Sequence, residues 1–541
     1  MASSAGKSLR DLSFKPRFRH NYGDDEKFYD TVVNYKDTWE KCMFYLDEEL
    51  LKKQVNEGKL FPKNIPDVSS AALNLKDLEL ETLGQEYVQN HYASEVEFTI
   101  ASGDKESINT LEFGKPIELK GVLNRNGLVF FAGGKVTSSK WLHLPLVSQL
   151  EVQYLAVSII HNPNGLKDTI NHPELSIFHR KGKENTIYSA IQIWKYNVTT
   201  TSLELFKFYD TTSFGATSSL EWLPINVTGD SNVLGALVGN FTDGDVHIFK
   251  ISADHCQYVK VVAPSLTYSF STTRTESKEI INITTFEFLG SDKLLVGLTD
   301  GCIAEFILPY YSETCEDENE LHIPSSVTRI GDSAVSALSV AEPQPNTFLI
   351  SVATTGVHTL VFEYQNFVQG RVVPLLKTNL KPSYNPSLRM FVLAPSGDSI
   401  SYSFAKSPHE TGNTLLRLDA VITISKLSER LGHPLNLSGT TDGDIIVLNY
   451  TRKFLNGSKT TSKVLVPLKL WKLTLANKIL RLSGDYEVIP PEAPAQNSVS
   501  PPEVFISTVS WNENLIGSSV YASGSASGLV IVERLDPLYN E

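Results

Sequence analysis

No run of about 18 consecutive apolar residues occurs in the chain, so no segment is written to cross a bilayer as a helix. The opening stretch, residues 1–20, carries charges with no apolar core behind them and does not read as a secretory leader. Cysteine is scarce. Cys42, Cys256, Cys302 and Cys315 form no CxxC pair and meet no paired histidine spacing, which argues for a reducing compartment and against a structural zinc. Without a leader, the Asn-x-Ser/Thr triplets at Asn197, Asn226, Asn240 and Asn449 read as turn composition, not as glycan acceptors.

Signatures of chemistry are missing too. The chain has no GxxxxGK[ST], GxGxxG, GxSxG, HExxH or EF-hand loop. Asp-Gly pairs at Asp243, Asp300 and Asp442 lack the alternating acidic partners that calcium needs, so they read as hairpin turns. No two of the twelve histidines lie three or four residues apart. His143, His247 and His358 fall on strand patterns as ordinary core or edge residues. No catalytic residue, metal or cofactor is expected. A propeller enzyme would instead show carboxylates converging on a central channel, which sequence cannot locate.

Net charge is −13, which gives no global attraction to nucleic acid, but the cations are clustered. Lys7, Arg10, Lys15, Arg17 and Arg19 stand against the single acid Asp11. Residues 452–481 hold Arg452, Lys453, Lys459, Lys463, Lys469, Lys472, Lys478 and Arg481 with no acid. These are the two stretches where a phosphate or partner contact is expected. In the second, Leu468, Leu470, Trp471, Leu473 and Leu475 interleave with the charges, which also fits an outer strand pair.

What the chain has in abundance is one repeated pattern. From about residue 150 onward, a short apolar strand runs into a Gly turn and an alternating strand follows. Copies are residues 234–251, 294–308, 348–364, 390–404, 435–450 and 519–535, with an interrupted first copy at 154–160 and 188–197. The Gly supplies the positive φ of a two-residue hairpin. A Ser/Thr-then-aromatic strand precedes many copies, placing Trp141, Trp222, Phe288 and Trp511 in equivalent positions. Seven copies of this kind predict an all-β, seven-bladed β-propeller of the WD-repeat type over residues 119–541. Residues 119–134 read as a strand pair that completes the sheet of the last copy. Loop insertions are expected at 161–186, 312–332 and 455–504, the last with a Pro-rich centre.

In front of the ring, residues 1–23 read as a basic arm, 24–60 as helix and 61–118 as an irregular connection. The helix carries an apolar stripe of Phe28, Val32, Tyr35, Trp39, Met43, Leu46 and Leu50. Such a stripe must be covered, either by the propeller's own side or by a partner subunit docking on Phe28, Trp39 and Met43.

Three blocks go beyond a generic propeller. They are residues 10–23 leading into the helix, 130–145 with Gly133, Gly134, Val136, Trp141 and Pro145, and 219–249 with Leu237, Val238, Asp243, Gly244, Val246, Ile248 and Phe249. Together they resemble the WD-repeat subunit of general transcription factor III C, from the half that binds the intragenic B-box of transfer RNA genes. The resemblance covers residues 10–250. It implies a nuclear, non-enzymatic scaffold that pairs with a second propeller subunit and supports a large DNA-binding subunit. It further implies that the assembled complex brings RNA polymerase III's initiation factor to the gene, with no membrane and no small-molecule substrate. Family members often add a long charged N-terminal region with DNA-binding hooks; this chain starts almost at the leading arm. The alternative function left open is a WD scaffold or adaptor of another complex, for ubiquitin ligation, trafficking or ribosome assembly.

Overall fold

The computed structural model describes residues 9–535 apart from 42–43, 45–47, 58–64, 104, 124, 147, 164–186, 231, 254–255, 271–280, 312–322, 345, 357–358, 365–372, 376–379, 395–396, 409–413, 456–464, 466 and 490–499. Strands dominate these residues and are arranged as a β-propeller. Each blade grows from the local rule seen in the sequence. In the second, Val233–Phe241 pairs antiparallel with Val246–Ser252 across the Asp243-Gly244 turn. Gly244 sits at φ +93°, and a Cβ there would lie 2.6 Å from the Asn282 side chain of the next blade. Both the turn and the blade-to-blade approach exclude a larger residue.

Six blades are four-strand meanders, starting at Lys135, Thr217, Ile283, Val335, Ser383 and Ile422. That is one fewer than the seven Gly-turn copies predict, because the last copy has only three strands of its own. Ile506–Trp511, Val520–Ser525 and Leu529–Arg534 form a composite sheet with Gly127–Phe131, which pairs antiparallel with Leu529–Arg534. Its inner strand lies against the inner strands of both the sixth and the first blade. The apolar core is correspondingly divided into clusters between adjacent sheets. Ala156 and Ile193 of the first blade pack with Leu220 and Leu237 of the second, and Leu435 and Val447 of the sixth pack with Val509 and Tyr521 of the composite sheet.

The junction between the two ends of the chain is ionic. Arg125, just before Gly127–Phe131, forms a two-pronged pair with Glu533 on the last strand (Nε–Oε1 2.5 Å, Nη2–Oε2 2.7 Å). Both side chains are buried, at 5% and 1% exposure. Arg125 also donates to the Leu470 and Gly484 carbonyls of the sixth blade, and its guanidinium lies 3.6 Å from the Trp471 ring centre. Trp471 Nε1 and the Tyr521 hydroxyl donate to Glu533 Oε2 at 2.7 and 2.6 Å. Every polar atom of the pair therefore has a partner, which a buried charge requires.

The segment ahead of the ring differs from expectation in three ways. The basic arm is helix α1, Leu9–Tyr22. Its Phe14, Phe18 and Tyr22, at four-residue steps, make a stripe that is inconspicuous among the charges. The single helix expected over 24–60 is instead α2, Glu26–Lys41, and α3, Glu48–Asn56. The two serve different surfaces, which one straight rod could not reach. α1 and α2 cover the fifth and sixth blades, with Tyr22 edge-on to Phe404 at 5.1 Å and Asn449 Nδ2 donating to the Trp39 carbonyl at 3.0 Å. α3 sits against the composite sheet, where Leu51 meets Leu515 and Glu48 accepts from Ser519.

Nor is the 61–118 connection irregular. Asp67–Ser69 pairs parallel with Asn226–Thr228, and Glu79–Thr82 joins the edge of the first blade's sheet through Tyr258–Ala263. The hairpin Glu95–Ser102 and Lys105–Glu112 adds in parallel to Ile479–Ser483 of the sixth. Asp67–Ser69 and Glu79–Thr82 are short and polar, so no alternation marks them; Glu95–Ser102 does alternate, at Val96, Phe98 and Ile100, a signal that the irregular reading passed over. In the expected insertions, Ser326–Arg329 and the pair Leu468–Ala476 and Ile479–Ser483 are outer strands; residues 164–186, 312–322, 456–464 and the Pro-rich 490–499 lie outside the described residues.

Removing one half of the buried closing pair strands the other charge. Glu533→Gln is expected to cost about 3–5 kcal/mol in urea unfolding. Arg481→Ala, which opens the exposed pair with Glu106, should cost under about 1 kcal/mol.

Candidate interaction surfaces

Several cations of the basic stretches singled out above are paired with acids of the same chain. In α1, Lys15 pairs with Glu26 at 2.9 Å, and Arg19 with Asp24 at 2.6 Å and Glu26 at 2.9 Å. Arg10 and a half-buried Arg17 share that helix, and Lys7 lies outside the described residues. In the second stretch, Lys469 pairs with Glu487 at 2.9 Å and Asp444 at 3.5 Å, and Lys472 with Asp444 at 3.3 Å. Asp444 is itself buried, so these lysines stabilise the sixth blade. Lys459 and Lys463 lie outside the described residues. Lys478 is exposed at the hairpin between the two outer strands, at φ +68°. The partner acids are distant in sequence or beyond the stretch, so a local count of charges missed them.

The helix residues proposed for partner docking do not face outward. Phe28 and Trp39 are 1% and 6% exposed, and the blades that they cover are their own. Packing on the chain's own side is the reading realised, because this stripe is the cover for the apolar outer strands of two blades. Met43 lies outside the described residues. The motif residues are likewise structural. Gly133 sits at φ +82°, with Phe113 2.9 Å from where its Cβ would be, and a Cβ on Gly134 would lie 2.6 Å from the Ile160 carbonyl. Trp141 is buried and edge-on to Tyr196. Asp243 holds His247 Nε2 at 2.8 Å, whose Nδ1 meets Thr267, so the buried histidine ties a hairpin turn to the next strand. Phe249 is buried between the first and second blades.

Two concavities remain. One is the channel where the inner strands end. The residue before each closing aromatic or apolar side chain turns inward, giving Lys140, Glu221, Glu287 and Lys426. Lys140 pairs with Glu221 at 2.6 Å, Lys381 with Glu287 at 2.5 Å and Lys426 with Glu429 at 3.9 Å. Glu513 accepts from the Arg430 backbone N–H and from Ser428. Trp222 and Trp511 reach across to the neighbouring backbone, donating to the carbonyls of Lys140 and Lys426, each at 3.2 Å. Carboxylates do converge here, but each meets a cation or a donor. The remaining space is about 60 Å³, lined also by Ile65 of the leading segment, and it admits a few waters and no substrate. Burial, with Lys140 and Lys381 nearby, brings the Lys426 ammonium down to about 8.

The other concavity is a groove of about 980 Å³ at the opposite end of the inner strands, lined by Lys135, Thr217 and Ser507 at the starts of theirs. It runs between the composite sheet, the first two blades and the hairpin that carries Lys478. Among the described residues, no cluster of histidine, cysteine or carboxylate side chains could hold a metal ion.

No protein-family model matches the chain. It is 26% identical over 472 residues to the transcription factor tau 91 kDa subunit of Saccharomyces cerevisiae, an alignment that takes in 82% of this chain and 61% of that protein. The chain thus spans less than two thirds of the length of that relative. The similarity runs well past residue 250, and it bears out the resemblance to the propeller subunit of this transcription factor read from the opening blocks.

Two outcomes test this assignment of roles. Trp39→Ala should lower the urea midpoint by the equivalent of about 3–5 kcal/mol, as a buried aromatic does, without the chain gaining or losing a partner. Between pH 8 and about 10.4, an unfolded Lys426 binds more protons than the folded one, so this residue makes stability rise with pH by at most about 1.4 kcal/mol per unit. Comparing urea midpoints at pH 8, 9 and 10, Lys426→Met should lack that rise; an identical slope would place the titration elsewhere.

Proposed function

From the similarity to a transcription-factor subunit, we propose that this chain is a non-catalytic scaffold subunit of RNA polymerase III's general transcription factor III C. In this reading it acts in the nucleus, pairs with a second propeller subunit and supports the large subunit that binds the B-box of transfer RNA genes.

The observation that carries the reading is the extended similarity, 82% of the chain, to a protein named as a transcription-factor subunit. The geometry agrees with scaffolding. The channel is filled by mutually paired charges, so the face it opens on is a rigid surface and not a reaction chamber. Most described cations of the two basic stretches already have acid partners, so a direct contribution to phosphate binding is small and sequence-independent. Contact with DNA comes through the assembled complex. A propeller pair of this kind buries on the order of 1,600 Å² or more.

Affinity purification of the tagged full chain from nuclear extract of the source cell, followed by mass spectrometry, tests this directly. Recovery of a second propeller subunit and a large DNA-binding subunit in near-equal amounts is the expected result. Recovery of ubiquitin-ligase, coat or ribosome-assembly components in their place would overturn it.

A further inference from the structure

The groove at the start of the inner strands holds an unusual combination. Phe131, Val136, Ile160, Ile187, Leu475 and Leu480 give it apolar walls, and two ammonium groups, Lys135 and Lys478, line it. The lysines discussed for the channel and the sixth blade meet carboxylates; these two have no ion pair among the described residues. Lys135 is half-buried, and its Nζ lies 5.8 Å from the ring centre of Phe505. Burial pushes its ammonium below the ordinary lysine value. Among the described residues, the lining contains one carboxylate, Glu503, against two lysines.

A partly desolvated cation among apolar side chains is unfavourable until a counter-charge arrives. A groove of about 980 Å³ is at the upper end of the range for a site that encloses a ligand. A phosphodiester backbone fits poorly, because it needs a row of solvated cations and has no apolar surface to lay against Phe131 or Leu480. A polypeptide segment has both required features. We propose that the groove receives an apolar segment of a neighbouring subunit that carries one or two carboxylates, its apolar side chains on the walls and its carboxylates on Lys135 and Lys478. The location of the site rests on the groove alone; that the segment belongs to a transcription-factor subunit rests on the function proposed above.

Zero-length carbodiimide coupling joins an amine to a carboxylate only when the two are in contact, so it reports the contact itself. Applied to the complex purified through the tagged full chain, it should couple Lys135 and Lys478 to aspartates or glutamates within an apolar stretch of another subunit. Lys135→Glu/Lys478→Glu should reduce retention of that subunit at least tenfold with an unchanged unfolding midpoint, whereas Lys105→Glu on the outer hairpin should not. Coupling of both lysines only to carboxylates of this chain would mean that the chain fills its own groove. Protection of both by added promoter DNA would mean a phosphate site, and wild-type retention by the double variant would mean no site; each overturns the proposal. Coupling to a subunit of some unrelated complex would keep the groove and overturn only the assignment to the transcription factor.

Discussion

A ring of sheets is only as strong as the place where its ends meet, and here that place is held by a buried charge. The Arg125–Glu533 pair joins residues 408 positions apart and recruits Trp471 and Tyr521, so it binds the leading segment, the last strand and the sixth blade at one point. Burying such a pair is costly, and the cost is offset only where all its hydrogen bonds are made. The residues around it make them. The four-strand ladder of the composite sheet, the apolar cluster beneath it and the rigidity of the channel face all presuppose that this junction stays shut.

The same economy of charge runs through the rest of the molecule. Channel cations and carboxylates pair with each other, Lys140 with Glu221 of the next blade and Lys381 with Glu287 of the third, and the basic helix α1 is answered by the acids that begin α2. Apolar faces are treated alike: the aromatic stripe of α1 and α2 is the lid over two blades. At these places charge and apolar surface are both satisfied internally. The groove beside Lys135 departs from this rule, and that contrast makes it informative.

The fold was largely legible from residues whose role is local. A Gly after Asp needs a positive φ at a hairpin, and alternation marks a strand with one buried face, so the blades and the completion of the last sheet by the segment near Gly127 could be read directly. The number of complete blades was not, because the last Gly-turn copy has only three strands of its own. Short polar strands such as Asp67–Ser69 or Glu79–Thr82 have no pattern of their own and exist only because an edge is offered to them. Charge was the least legible feature. Lys469 and Arg481 looked free because their acids, Asp444, Glu487 and Glu106, lie outside the basic stretch. Lys135 went unremarked, since nothing in its neighbours foretells an apolar groove.

The closing strand has a further consequence in time. Gly127–Phe131 is entirely buried in the finished ring, yet its partner strand leaves the ribosome some 400 residues later. At typical synthesis rates of about 5–20 residues per second, this hydrophobic strand waits roughly 20–80 s for its complement. Throughout that interval, blades one to six can form while the ring stands open, exposing an unpaired edge at each side of the gap. The protein is therefore born with a long aggregation-sensitive window, and its yield in a cell depends on whatever shields those edges until Leu529–Arg534 arrives.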